Sequence, residues 1–125
     1  MASSHRRLSK EEARICDKIL DALYQWTDAR KYCLNYPSYD QLAQDLDVSR
    51  EQLSWFFSEV LGDKFLSYRK RQRLAYSAFL IRSDAAKPAS AAGQKAGFAD
   101  KSDYRRQFKE VFKMSPENWR SISGK

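Results

Sequence analysis

Apolar residues recur along this chain at three- and four-residue intervals, with polar punctuation between the runs. That period predicts helices throughout. Ile15, Ile19, Ala22, Leu23 and Trp26 make one apolar stripe. Ser9, followed three residues later by Glu12, is a capping-box pattern ahead of it, so a first helix is expected over residues 9–28. Asp28-Ala29-Arg30-Lys31 breaks the period, and an irregular, aromatic-rich link follows over residues 32–37. Ser38 with Gln41 repeats the capping pattern, and Tyr39, Leu42, Ala43 and Leu46 give a short helix its apolar side. Asp47-Val48-Ser49 reads as a tight turn, and Ser49 with Gln52 caps again. The next helix is expected to bury Leu53, Phe56, Phe57, Val60 and Leu61 and to stop at Gly62. Short helix, tight turn and longer helix make a helix-turn-helix plan over residues 38–62.

Residues 65–81 form a long helical pattern with two apolar faces. Phe65, Tyr68, Ala75, Tyr76 and Phe79 lie on one, and Leu66, Leu74, Leu80 and Ile81 on the other. A helix apolar on both sides is packed from both sides, which predicts a connector with Arg69, Lys70, Arg71 and Arg73 as exposed charge. A loop to Pro88 and a short, weakly apolar helix over residues 89–96 precede the most informative stretch, residues 97–120. Gly97-Phe98 makes a sharp turn, and Asp100 stands at a cap position. Tyr104, Phe108, Val111 and Phe112 then share one face. Ser102, Arg105, Arg106, Lys109 and Lys113 are expected on an adjacent face, with Asp103 and Glu110 away from most of that basic surface. Ser115 and Pro116 start a last short helix over residues 115–121, anchored by Trp119. The second helix-turn-helix unit thus spans residues 88–113. The fold class expected is all-α, with about seven helices in two helix-turn-helix subdomains joined by one long connector. Residues 1–8 read as a disordered leader and residues 9–120 as the folded part.

Charge sharpens this picture. The 125 residues carry a net charge of +7, which favours an anionic partner. By residue, 1–62 hold 8 basic and 10 acidic side chains, whereas 63–120 hold 14 and 6. The anion-seeking surface therefore belongs to the second half. Cys16, Cys33 and His5 are the only cysteines and histidine. They give no zinc-ligand spacing, so no metal or other cofactor is expected. Two isolated thiols and no signal peptide suggest a cytoplasmic setting. No nucleophile–base pair or phosphate-cradling glycine loop is in sight, so an enzyme is not expected.

These residues resemble the DNA-binding domain of the AraC/XylS family, across about residues 31–120. The resemblance rests on Leu42-Ala43, Val48-Ser49, Leu53, Phe57 and Gly62 in the first unit, and on Phe65, Tyr68, Arg73, Leu80 and Ile81 in the connector. In the second unit it rests on Gly97-Phe98, Ser102, Tyr104, Phe108-Lys109, Phe112, Pro116 and Arg120. The aromatic link is similar to that of Bacteroidetes members. The resemblance implies a transcription regulator that reads sequence with two recognition helices in adjacent major-groove segments. By position, it assigns Arg50, Glu51, Ser54, Trp55 and Ser58 to the first groove set and Lys101, Ser102, Asp103, Arg105 and Arg106 to the second. Arg69, Lys70, Arg71 and Lys109 would then bind phosphates. Duplex DNA is the expected partner. RNA polymerase or a sensor domain in the same longer chain are further candidates, and no membrane contact is expected of this domain.

Two departures from the family pattern carry expectations of their own. The first unit is acidic, with Asp40, Asp45, Asp47, Glu51 and Glu59 facing only Arg50. An exposed Trp55 among acids also fits a protein-contact patch, so a degenerate domain that docks a protein through the Trp55 face is the alternative. Asp47 stands where the family has glycine and is expected to take up the left-handed conformation. The second departure is Ala89, Ala92 and Gly93, where the family has larger residues, so residues 89–96 are expected to pack loosely.

Overall fold

A computed structural model describes residues 7–35, 38–83 and 88–123. Most of the expected leader and part of the loop before Pro88 lie outside them. The described residues are helical, with seven α-helices and no strand, as the sequence pattern implied. The helices are α1 (Lys10–Asp28), α2 (Tyr39–Asp45), α3 (Arg50–Trp55), α4 (Phe65–Arg82), α5 (Ala91–Lys95), α6 (Lys101–Phe112) and α7 (Pro116–Ser123). One 3₁₀ turn, Lys31–Cys33, follows α1. Two compact units divide the chain. The first holds residues up to Lys31 together with Asn35–Tyr68, and the second holds Tyr32–Leu34 with Arg69 onward.

The first unit is built on locally encoded starts. Ser9 Oγ accepts from the Glu12 N–H while Glu12 accepts from the Ser9 N–H, and Ser49 and Gln52 do the same ahead of α3. Ser38 makes only the forward half of its box, because the Gln41 amide donates to Asp45 instead. Asp47 closes the α2–α3 turn with φ of 57°, the left-handed conformation expected of it. Ile19, Leu23 and Trp26 of α1 are buried, as are Leu42 and Ala43 of α2, Leu46 at its end, and Leu53, Phe56 and Phe57 beyond. Phe65 is the aromatic hub, edge-on to Trp26, Tyr39 and Phe57 at 5.7, 6.2 and 5.7 Å.

Val60 and Leu61 are exposed, contrary to expectation. After Trp55 the helix widens into a π-helical segment over Phe56–Leu61, and the Gly62 N–H reaches back to the Phe57 carbonyl. The wider turn advances each residue by a smaller angle than an α-turn does. Phe56 and Phe57 keep the core, and the residues after them rotate out. Gly62, at φ of 67°, ends the segment.

The core of the second unit joins Leu74, Ala78, Leu80 and Ile81 of α4 to Ala89, Ala92, Tyr104 and Phe108. Phe98, Phe112 and Trp119 pack against it. The Trp119 indole N–H donates to the Ala78 carbonyl, which pins α7 to α4. On α4 the expected two-faced pattern holds only in part. Leu66 and Phe79 are exposed, and Arg73, expected in solvent, is buried. Its Nε donates to the Tyr32 carbonyl at 2.6 Å and its Nη2 to the Leu34 carbonyl at 3.0 Å. Desolvation and the neighbouring Arg69 charge lower its pKa to about 10, so it remains cationic near neutral pH. This bond pair is why Tyr32–Leu34 belongs with the second unit.

Gly97 meets the same place from the other side. Its φ is 107°, and a Cβ there would lie 2.7 Å from the Cys33 carbonyl oxygen and 2.9 Å from Arg73 Nε. Only glycine satisfies both the backbone conformation and the close approach. Residues 89–96 are not loosely packed. Ala89, Ala92 and Ala96 are buried, and the Tyr104 ring lies directly on Gly93. The small residues leave room that the ring fills. Helix α5 begins at Ala91 rather than at residue 89, and the Pro88 carbonyl accepts from the Ala91 N–H in a preceding turn.

Candidate nucleic-acid interface

In the second unit α6 carries the candidate surface. Asp100 fixes its first turn, accepting from the Ser102 and Asp103 N–H groups at 2.8 and 3.3 Å. Tyr104 and Phe108 are buried, so the helix cannot roll. This leaves Lys101, Ser102, Arg106 and Lys109 exposed and Asp103 and Arg105 half-buried on the outward side. Burial pushes the Tyr104 phenol pKa up, with the adjacent Ser77 hydroxyl pulling the other way.

The expected separation of charge on α6 is corrected by the structure. Arg106 pairs with Asp103 one turn before it and lies 3.7 Å from Glu110 one turn after it. Those spacings, three and four residues, put Arg106 between the two acids rather than opposite them. Asp103 is used twice, because its other oxygen accepts from the Gln107 amide at 2.7 Å. It braces the helix surface more than it offers a free acceptor to a base. Arg105 is held by Glu117 of α7, with Nη1 2.6 Å from each carboxylate oxygen. That bond holds Glu117 below the usual carboxylate range. Lys101 and Lys109 make no ion pair with a described residue and are the most available cations of this helix.

The first unit presents α3 and its continuation. Arg50, Glu51, Ser54 and Ser58 are exposed. The Arg50 guanidinium lies over the Tyr39 ring at 5.7 Å and donates to Asp40 at 3.3 Å. The Ser58 hydroxyl donates to the Ser54 carbonyl, which leaves its oxygen to accept. Trp55 is half-buried rather than exposed, so the expected apolar centre of a protein-contact patch is diminished. Among the phosphate candidates, Lys70 and Arg71 are exposed and Arg69 is half-buried, its pKa lowered by desolvation. Among the described residues, no group of three or more His, Cys, Asp or Glu is placed to hold a metal. No helix among the described residues is long and apolar enough to cross a membrane.

The sequence reading missed two contributors. Arg73 acts as a scaffold cation, which its buried polar environment reveals only in three dimensions. Glu117 sits beside the outward face of α6, paired with Arg105, and nothing in the helical period of α6 points to it.

Two short capped helices across a left-handed turn, with a basic outward helix in the other unit, define a helix-turn-helix protein. Residues 42–122 match the model of a helix-turn-helix domain, and the chain belongs to this AraC-type helix-turn-helix family of DNA-binding transcription regulators. It is similar to the arabinose operon regulatory proteins of Salmonella typhimurium and Escherichia coli, each 32% identical over 80 residues. Those matches take in 64% of this chain but only 28% and 27% of the two relatives.

Proposed function

We propose that this domain binds duplex DNA in a sequence-specific way to regulate transcription. The observation that carries the reading is α6, whose buried Tyr104 and Phe108 fix its outward side toward solvent. That side holds Lys101, Ser102, Arg105, Arg106 and Lys109 within the stretch matched by the family. Arginine pairs bidentately with guanine, and lysine and serine hold phosphates or base edges. Helix α3 is the reader of the first unit through Arg50, Glu51, Ser54 and Ser58, with Trp55 against thymine methyls. The two helices take adjacent major-groove segments, and Asp103 acts by bracing Arg106. Arg69, Lys70, Arg71 and Lys109 bind phosphates, which makes affinity strongly salt-dependent. The relatives regulate the arabinose operon by name. A sensor domain in the same longer chain or RNA polymerase is a natural further partner.

Selection of bound sites from random duplexes, followed by titration of the recovered site, tests the reading. Arg105→Ala and Arg106→Ala should each weaken binding to that site by about tenfold. Wild-type affinity in both variants would count against α6 as the reader. Retention of DNA binding in those variants with loss in Trp55→Ala would shift the role to the first unit.

A further inference from the structure

The Arg105–Glu117 pair has a specific geometry. Glu117 engages Nη1 alone, with both carboxylate oxygens at 2.6 Å. The side-on fork of the guanidinium, Nε with Nη2, makes no hydrogen bond with a described residue. That fork is one of the two edges through which arginine makes paired, parallel hydrogen bonds. A guanidinium held at Nη1 therefore keeps its planar fork for guanine O6 and N7.

The clamp is anchored at both ends. Arg105 follows Tyr104, which is 1% exposed. Glu117 follows the fully buried Pro116, and Trp119 two residues on is tied to the Ala78 carbonyl. Stability does not account for the pair, because its side chains are 42% and 51% exposed and such surface pairs contribute about 0–1 kcal/mol. Its effect falls on the charge and the freedom of Arg105. An arginine loses less rotamer entropy on binding when it is already oriented, and a half-neutralised one is a poorer phosphate ligand.

We infer that Glu117 is a specificity-determining positioning residue: it presents the Nε/Nη2 fork of Arg105 to a base edge and withholds that arginine from the DNA backbone. The inference rests on α6 being the groove helix of the second unit. Arg106 has no such arrangement, since both of its acids lie on its own helix.

The test uses the full chain, the site selected by the wild-type protein and a scrambled duplex of equal length. Glu117→Gln keeps the shape and removes the charge. Its binding to the scrambled duplex should tighten, and the ratio of the two affinities should fall by about tenfold. The slope of log affinity against log salt should steepen by about 0.9, the value for one added phosphate contact. In the Arg105→Ala background the same substitution should leave the ratio unchanged, an outcome that a general effect of charge or folding would not give. An unaltered ratio and slope in Glu117→Gln would overturn the proposal. So would an equal loss of discrimination with Arg105 absent. If the wild-type chain recovers no site at all, the DNA reading itself fails and the proposal falls with it. A wild type that discriminates beside an unchanged Glu117→Gln sinks the proposal alone.

Discussion

Gly93 and Tyr104 are matched as socket and knob: a Cβ on residue 93 would fall 2.4 Å from Tyr104 Cδ2 and 2.5 Å from Cγ. By helix propensity alone, Gly93→Ala would stabilise α5 by about 0.5–1 kcal/mol. The ring contact reverses that sign. Tyr104 is 1% exposed and joined to Phe98 and Phe108 at 5.1 and 5.7 Å, so it has nowhere to retreat without moving α6. Gly93→Ala is expected to destabilise the domain by about 1–3 kcal/mol, the usual range for overpacking. Urea denaturation measures it, and a more stable variant would show that the ring yields.

Arg73 offers a second test. Arg73→Met keeps much of the buried aliphatic bulk and removes both donors to the Tyr32 and Leu34 carbonyls. An unmet buried carbonyl costs about 1–3 kcal/mol, and the second of these bonds is only partly buried, so a loss of about 2–4 kcal/mol is expected. Hydrogen exchange should also show faster opening at residues 32–34. Unchanged stability would mean that water replaces the guanidinium.

These two cases show what the sequence could and could not convey. Helix starts were legible because a cap and its partner lie three residues apart, as at Ser9–Glu12 and Ser49–Gln52. Tyr104 and Phe108 were legible as core from their spacing. Arg73 was not, because the carbonyl it satisfies belongs to a residue 41 positions away. Gly93 read as a weakness because its partner ring comes from another helix. On the candidate site, the pairing of Arg105 with Glu117 spans 12 residues and left no periodic signal. The pairing of Arg106 with Asp103 was within reach of the three-residue spacing, and a count of charge by face obscured it. The widening after Trp55, which turns Val60 and Leu61 outward, has no sequence signature that would set it apart from an ordinary α-turn.

The turn of the first unit gives a stabilising substitution. Asp47 holds φ of 57°, a conformation that costs most L-residues free energy and glycine little. Its carboxylate is exposed, and its ion pair with Lys18 at 3.7 Å is a surface contact of small worth. Asp47→Gly should raise stability by up to ~1 kcal/mol after the greater chain entropy of glycine is subtracted. Asp47→Val should lower it, because a β-branched side chain tolerates that backbone poorly. Thermal denaturation of the pair should place the wild type between them.

Glu117 gives the pH test. The Arg105 hydrogen bond is the largest influence on its carboxyl and holds it below the ordinary 4.5. A carboxyl whose folded-state pKa is depressed adds stability above its unfolded value and loses that contribution as pH falls through the folded one. The window therefore lies below 4.5, and the pair is fully formed at neutral pH. Carbon-detected NMR titration should show Glu117 ionising below the ordinary carboxylate range, as the Arg105 hydrogen bond requires. In Arg105→Ala the Glu117 midpoint should move up toward the ordinary range, since the guanidinium that favoured the charged form is gone. A midpoint that stays depressed in that variant would assign the shift to the start of α7 instead of to Arg105.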